Sequence, residues 1–251
     1  MIPMVALMEA EARTLEELRE QAIVCRACPL AEKRTNVAFG EGNPTSPLVL
    51  VGEGPGEQED LTGRPFVGRA GQLLDKALLE NGLTREHVYI CNIVKCRACD
   101  WIDGRPVNRA PSDEEVLACR KWLVPQLRLL APQVILCVGG PSAKSLIRKD
   151  FSITRERGKY FPCAFARCAL ATLHPAYVLR QQGANSDGGY SLLVADIARA
   201  WSAAQKLRDQ EIAGQLAPHE FGSLPSSMPA AAQDLGTDGQ ANQEPAQESL
   251  F

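Results

Sequence analysis

Four short apolar runs, at 48–53, 88–94, 133–138 and 168–173, recur along the chain with helix-patterned segments between them. Each run is too short for a helix and reads as a strand buried on both faces. Helical periodicity fits 12–24, 69–81, 113–130, 141–149 and 187–207. Ser112-Asp113-Glu114-Glu115 is a capping-box start for the third, and Leu192, Leu193, Ile197, Ala200 and Trp201 form the inner side of the last. This alternation predicts a three-layer α/β/α fold with a central, mostly parallel four-stranded sheet. Ligands of such sheets sit outside the carboxyl ends of the strands. The Gly52 loop, Asn92 and His174 all fall at or near such ends.

The 251 residues suffice for one domain with a sizeable core. No stretch of about 18 apolar residues is present, so no membrane-spanning helix is expected. The opening residues lack the basic region and long apolar region of a secretory signal. A cytoplasmic monomer is therefore expected. After about residue 209 the periodicity dissolves, dividing the chain into a domain at 1–209 and a tail at 210–251. The tail is rich in Pro, Gly, Ser, Gln and Ala and should be disordered. It holds six acids and no Lys or Arg, which leaves the body with 27 basic and 24 acidic residues. That balance is compatible with nucleic acid but too small to argue for it. Nine cysteines in a reducing compartment point to metal ligation or buried thiols rather than to disulfides.

The first strand breaks into Gly52-Glu53-Gly54-Pro55-Gly56-Glu57-Gln58-Glu59-Asp60. A dinucleotide site needs G-x-G-x-x-G running straight into a helix. Here the spacing differs, Pro55 intervenes, and the loop's four acids would repel a pyrophosphate. Downstream, Gly63, Gly68 and Gly71 permit close backbone approach. Arg64 and Arg69 are placed to meet phosphates, and Phe66 lies in a loop flanked by glycine and proline. Asn92 ends the run VYICN; His174 follows CALATL and precedes Pro175, where the chain must turn. Taken singly, each has a plain structural reading: Phe66 as core, Asn92 as a cap, His174 as a satisfied histidine, Glu53 and Glu59 as solvated acids.

Taken together, GEGPGEQEDLTGRPFVGRAGQLLD, CNIVKC, LHPAYVLR and Cys25-x-x-Cys28 resemble the family 4 uracil-DNA glycosylases, iron–sulfur-containing members of their superfamily. The resemblance runs from about residue 15 to 207. It implies a DNA repair enzyme that flips uracil out of DNA, hydrolyses its N-glycosidic bond and leaves an abasic site. The departing uracil is anionic at O2 and the sugar cation-like, so the site needs donors near O2 and negative charge or activated water near C1′. The resemblance implies that Phe66 stacks on the base, Asn92 pairs with O4 and N3–H, and His174 donates to O2. Gly54 and Asn108 belong to the substrate pocket, and Arg64, Arg69, Tyr177 and Arg180 face the DNA. Glu53 positions water or stabilises the sugar cation, with Glu59 holding the network. Family 1 members carry a water-activating Asp two residues after the loop's first glycine, where this chain has Gly54.

No lysine stands out as a Schiff-base nucleophile, so a monofunctional enzyme without strand cleavage is expected. The alternative is a uracil-DNA sensor of the same superfamily that binds without turnover. Some such proteins bond covalently through a histidine in the loop before the fourth cysteine, and residues 97–111 contain none. A third reading, an iron–sulfur electron carrier, is disfavoured by the lack of a partner-cofactor motif.

By the same resemblance Cys25, Cys28 and Cys96 hold a 4Fe–4S cluster, with zinc the other group four thiolates would suit. The fourth ligand is Cys119, in EEVLACRKWL, or Cys99. Cys96 and Cys119 are separated by 22 residues, and treating ACDWIDG (98–104) as an insertion before a family loop RPVNRAP favours Cys119. Cys91, Cys137, Cys163 and Cys168 read as buried thiols. The chain ends Gln247-Glu248-Ser249-Leu250-Phe251, which resembles the peptide by which bacterial repair proteins dock on the sliding clamp. A disordered tether would present Gln247, Leu250 and Phe251 to a preformed groove.

Overall fold

The computed structural model describes residues 12–183, 186–217, 219 and 221. Helix α1 (Leu15–Ile23) starts at Thr14, whose hydroxyl accepts from Glu17 N–H while the Glu17 carboxylate accepts from Thr14 N–H. The turn α2 (Leu30–Lys33) follows CRACPL, and the two-residue strand β1 (Glu41–Gly42) precedes β2 (Leu48–Gly52), buried throughout. Helices α3 (Glu57–Thr62) and α4 (Arg69–Glu80) flank the Phe66 loop, and β3 (Tyr89–Asn92) ends at Asn92. A hairpin of β4 (Cys99–Ile102) and β5 (Arg105–Asn108) comes next, then α5 (Asp113–Leu130), β6 (Val134–Val138), α6 (Gly140–Leu146) and α7 (Ile153–Glu156). The chain continues through β7 (Phe161–Cys163), β8 (Ala166–Thr172), α8 (Pro175–Gln181), a small ribbon of β9 (Gln182–Gly183) and β10 (Ser186–Asp187), and α9 (Tyr190–Ile212).

The sheet order is β1-β3-β2-β6-β8-β7. The four expected strands, β3, β2, β6 and β8, are its parallel centre, and β1 and β7 add short antiparallel edges. Alternation along each central strand feeds two cores. Val49, Val51, Cys91, Ile135 and Cys137 pack with Leu18 of α1 and Leu123 and Leu127 of α5. Leu48, Leu50, Ile90, Leu136 and Leu170 pack on the other face with Leu74 and Leu78 of α4 and Leu193, Ile197 and Ala200 of α9. Each such leucine, fully buried, contributes about 1.5–3 kcal/mol. This is the three-layer architecture, with both core faces contributed by the same strands.

Two expectations change. Helix α9 runs on to Ile212, where Glu211 accepts from Arg167 Nη2 and Gln133 Nε2, both at 2.6 Å. Residues 210–212 therefore belong to the domain, because the tail's first acid has a cationic partner on β8. Residues 98–104 do not stand apart from the stretch that follows as a separate loop. Cys99 pairs with Asn108 and Ile102 with Arg105, so the two stretches form one hairpin. Most of the expected tail, including Gln247, Leu250 and Phe251, lies outside the described residues. Among the described residues no helix is long and apolar enough to cross a membrane.

Candidate active site

A cavity of about 740 Å³ opens at the carboxyl ends of the parallel strands. Glu53, Gly54, Pro55 and Gly56, leaving β2, form one wall; Gly139, Gly140 and Pro141, leaving β6, form another; Leu173 and His174, leaving β8, form a third. Gly52 decides what can meet here. A Cβ on it would lie 2.4 Å from both Asn92 Oδ1 and Phe66 Cζ, so only glycine lets the amide and the ring converge over the strand end.

Phe66 has φ +53, in the left-handed region that a bulky residue enters at a cost of order 1–3 kcal/mol. The surroundings hold it there. A Cβ on Gly71 would sit 1.7 Å from the Phe66 carbonyl oxygen, so the bare glycine leaves room for that backbone. Arg85 donates to the carbonyls of Pro65 (2.9 Å) and Phe66 and is itself paired with Asp75 (2.7 Å) and Glu41. The Phe66 ring then lies 5.7 Å from the His174 ring, tilted by 32°.

Glu59 is almost fully buried at the start of α3. One carboxylate oxygen accepts from the backbone N–H groups of Val67 and Gly68, each at 2.8 Å, and the other from Gly56 N–H at 3.1 Å. It thereby locks the glycine loop to the Phe66 loop and acts as a frame. Glu53 is half-buried on the cavity wall, and burial pushes its carboxyl above the ordinary range. Asp60, also buried, fastens α3 to the chain before β1 by accepting from Thr35 N–H at 2.9 Å.

His174 caps α8: its Nδ1 accepts from Ala176 N–H at 3.1 Å. With Nδ1 used as an acceptor, the neutral ring carries its proton on Nε2. Burial, helped by the charge of Arg180 and partly opposed by Glu59, pushes its pKa down to about 4. At neutral pH the ring is therefore an uncharged Nε2–H donor. Asn92, 1% exposed, lies behind Gly52 rather than on the wall itself. Its carbonyl oxygen accepts from the buried ammonium of Lys95 at 2.9 Å, whereas its side-chain Oδ1 has no partner among the described residues. A buried amide oxygen left unpaired costs about 1–3 kcal/mol, a cost that a ligand donor would remove.

Arg69, Tyr177 and Arg180 line the cavity, as does Asn108, whose Oδ1 accepts from Arg97 Nε at 2.7 Å. Arg64 does not line it: its guanidinium is turned onto Glu41 at 2.7 Å, drawn by a partly buried carboxylate. Sequence reasoning also passed over Gly139, Gly140 and Pro141. Their signal was available, since Gly-Gly-Pro directly after the run VILCV repeats the logic that singled out Gly52. Gly139 has φ +100 and packs against the His174 side chain, where a Cβ would be 3.1 Å away.

The cysteines gather at a second, smaller pocket away from this cavity. Cys25, Cys28, Cys96 and Cys119 line it together with Ala22, Arg34, Lys95 and Trp122; Cys99, on β4, does not. Three of the sulfurs already accept hydrogen bonds: Cys25 from Ala27 N–H (3.4 Å), Cys96 from Arg34 Nη1 (3.4 Å) and Cys119 from Lys95 N–H (3.3 Å). Such donors stabilise thiolates. Burial meanwhile pushes the Cys28 and Cys96 thiols up, and Cys119 to about 12, so ionised sulfurs here call for a bound cation. Among the described residues no three His, Cys, Asp or Glu side chains are grouped to hold one metal ion. The four sulfurs surround the pocket instead of meeting at a point.

Residues 39–198 match the uracil DNA glycosylase superfamily. A type-4 uracil-DNA glycosylase of Thermotoga maritima is 42% identical over 200 residues, covering 79% of this chain and 99% of that protein. One from Archaeoglobus fulgidus is 40% identical over 173 residues, covering 66% and 83%. A type-5 uracil-DNA glycosylase of Thermus thermophilus is more distant, at 28% over 57% of this chain and 71% of that protein. A superfamily match across most of the domain, joined by a relative matched over nearly its whole length, makes this chain a member of the type-4 uracil-DNA glycosylases.

Proposed function

We propose that this protein is a DNA repair glycosylase that extrudes uracil from DNA and hydrolyses its N-glycosidic bond, leaving an abasic site. The observation that carries the reading is the meeting of Phe66, Asn92 and His174 over Gly52 and Gly139, with an unpaired buried amide oxygen and a neutral ring N–H. An extruded pyrimidine stacks on Phe66. The Asn92 Oδ1 accepts from N3–H and its Nδ2 donates to O4. Cytosine offers neither the N3–H nor an O4, so it leaves both Asn92 groups wrongly paired.

As the C1′–N1 bond breaks, its electron pair passes to the base and charge collects on O2. The Nε2–H of His174, at the cavity wall, stabilises that charge as an oxyanion donor does. An uncharged donor needs no counter-ion when the pocket is empty. Glu53 is the carboxylate on the cavity wall at the loop position closest to Gly54, and it stabilises the sugar cation or orients the water that adds to C1′. Glu59, committed to three backbone donors, positions the loop and does not touch substrate. Among the described residues the cavity lining contains no lysine, and Lys95 is buried against Gln126 and the Asn92 carbonyl. This supports hydrolysis without a Schiff base or strand cleavage. Arg69, Tyr177 and Arg180 on the rim are the DNA-facing groups.

Cys25, Cys28, Cys96 and Cys119 would hold a 4Fe–4S cluster. Bound there, it would tie the N-terminal segment to β3 and α5, a structural role. Docking of Gln247, Leu250 and Phe251 on a sliding clamp is a separate proposal, tested by whether removing the last five residues abolishes clamp binding. The function is tested by incubating the protein with a single strand containing one uracil and then treating with alkali. Catalytic scission at the uracil, seen only after alkali, supports the glycosylase. Stoichiometric retention of DNA would instead identify a sensor, and an unchanged strand would refute both.

A further inference from the structure

The hairpin of β4 and β5 exposes three large apolar side chains. Trp101 is 60% exposed, Ile102 54% and Val107 45%. Among the described residues the strongly exposed large hydrophobics include two aromatics, Trp101 and Tyr177, and Tyr177 already lines the cavity rim. Trp101 is joined to the same cavity by register. Cys99 stands opposite Asn108 and Trp101 opposite Pro106, so side-chain alternation puts Trp101 and Asn108 on one face of the ribbon. Asn108 lines the cavity, and so do Ala98 before β4 and Arg109 after β5. The ribbon is thus rooted in the cavity wall. Trp101 lies two pairs farther out, about 6.8 Å along the strand, or about two stacked base steps of 3.4 Å.

The charges on the ribbon narrow the occupant. Between Cys99 and Asn108 the ionisable side chains are Asp100, Asp103 and Arg105, a balance unsuited to gripping phosphates. Asp100 is paired with Arg109 at 3.2 Å. What the ribbon offers is the flat face of an exposed indole on a hairpin rooted in the cavity wall. Bases stack on such faces without sequence preference, provided they are unpaired. We propose that Trp101 is a stacking platform for an unpaired DNA base flanking the extruded nucleotide, and that the hairpin favours single-stranded or locally opened DNA. This rests on the glycosylase reading, whose cavity holds the extruded base.

The test uses wild type, Trp101→Ala and Trp101→Phe, with uracil-containing single strands, matched duplexes, and single strands in which the bases flanking uracil are replaced by abasic spacers. Trp101→Ala should weaken binding to the single strand on the order of five- to a hundred-fold, and Trp101→Phe should recover most of it. Removing the flanking bases should cost wild type a similar factor and cost Trp101→Ala little more. Equal affinity of wild type and Trp101→Ala for every DNA would overturn the proposal. So would a loss that persists undiminished on the spacer strands, or a change of sedimentation that assigns the face to a second copy of the chain. Of the three tryptophans Trp122 is buried, Trp201 is partly buried against the core and Trp101 is the strongly exposed one, so a uracil-free single strand should quench tryptophan emission in wild type far more than in Trp101→Phe. That readout needs no turnover. If wild type releases no uracil yet its emission is quenched, the functional reading fails and the platform stands. Absent quenching with normal uracil release sinks the platform alone.

Discussion

Gly71→Ala is a test of how Phe66 is held. In an ordinary helix interior this change gains about 1 kcal/mol, because alanine loses less backbone entropy than glycine. Here the new Cβ would lie 1.7 Å from the Phe66 carbonyl oxygen and 2.0 Å from its carbonyl carbon, where contacts below 3.0 Å are essentially never found. The obstacle is backbone, so no rotamer change relieves it, and Phe66 must retreat by more than 1 Å. Overpacking of this kind costs about 1–3 kcal/mol, and an unyielding neighbour puts it at the upper end. Subtracting the helix gain leaves a net loss of about 2 kcal/mol. For a domain of this size that lowers Tm by roughly 4–8 °C. The ring would also move relative to His174, and a misplacement of about 1 Å costs on the order of a hundred-fold in rate. Thermal melting and single-turnover uracil release measure the two effects. A Gly71→Ala protein that melts at or above wild type with an unchanged rate would refute the idea that this glycine exists for Phe66.

Three further outcomes follow from the site. The folded-state pKa of His174, about 4, lies below its ordinary 6.5, so between these values the unfolded chain binds the proton and the folded one does not. Its contribution to stability is present above pH 6.5 and is lost as pH falls toward 4. Melting wild type beside His174→Gln across this range should show wild type losing its margin in acid, while uracil release shows no loss from this group down to about pH 5. Glu59→Gln places an amide NH₂ against backbone donors and leaves at least one unpaired, costing about 1–3 kcal/mol by urea unfolding; an unchanged midpoint would refute its framing role. Cys119→Ser should lose bound iron and visible absorption, whereas Cys99→Ser should keep both, and the reverse result would reassign the fourth ligand.

The parts of this molecule legible in the sequence are those with a local signature. The runs at 48–52, 89–92, 134–138 and 166–172 are mostly apolar and buried on both faces, which their central position in the sheet demands. Helix α5 carries its capping box, and the cavity wall announces itself in glycines after strands. Strand β1, two residues long, and the single turn α7 have no period to read. The β4–β5 hairpin carries a usable signal in Asp103-Gly104 between Ile102 and Arg105, a turn dipeptide between two short strands. Arg85, Lys95 and Gln126 were illegible for another reason. Arg85 acts on Phe66 across 19 positions and Lys95 on Gln126 across 31, and no local pattern encodes a contact at that range.

The cap on α8 has a cost that shows in what it displaces. Asparagine, aspartate and serine begin helices better than histidine does. A shorter cap at position 174 would fasten this helix more firmly, yet under the proposed mechanism it would leave nothing long enough to reach the base. The backbone bond from Ala176 also pins which ring nitrogen bears hydrogen, so the imidazole cannot change tautomer without loosening the first turn of the helix. Firmness of this corner and its chemistry are thus set by one bond. Variants selected only for heat resistance at position 174 should drift toward inert proteins that melt higher.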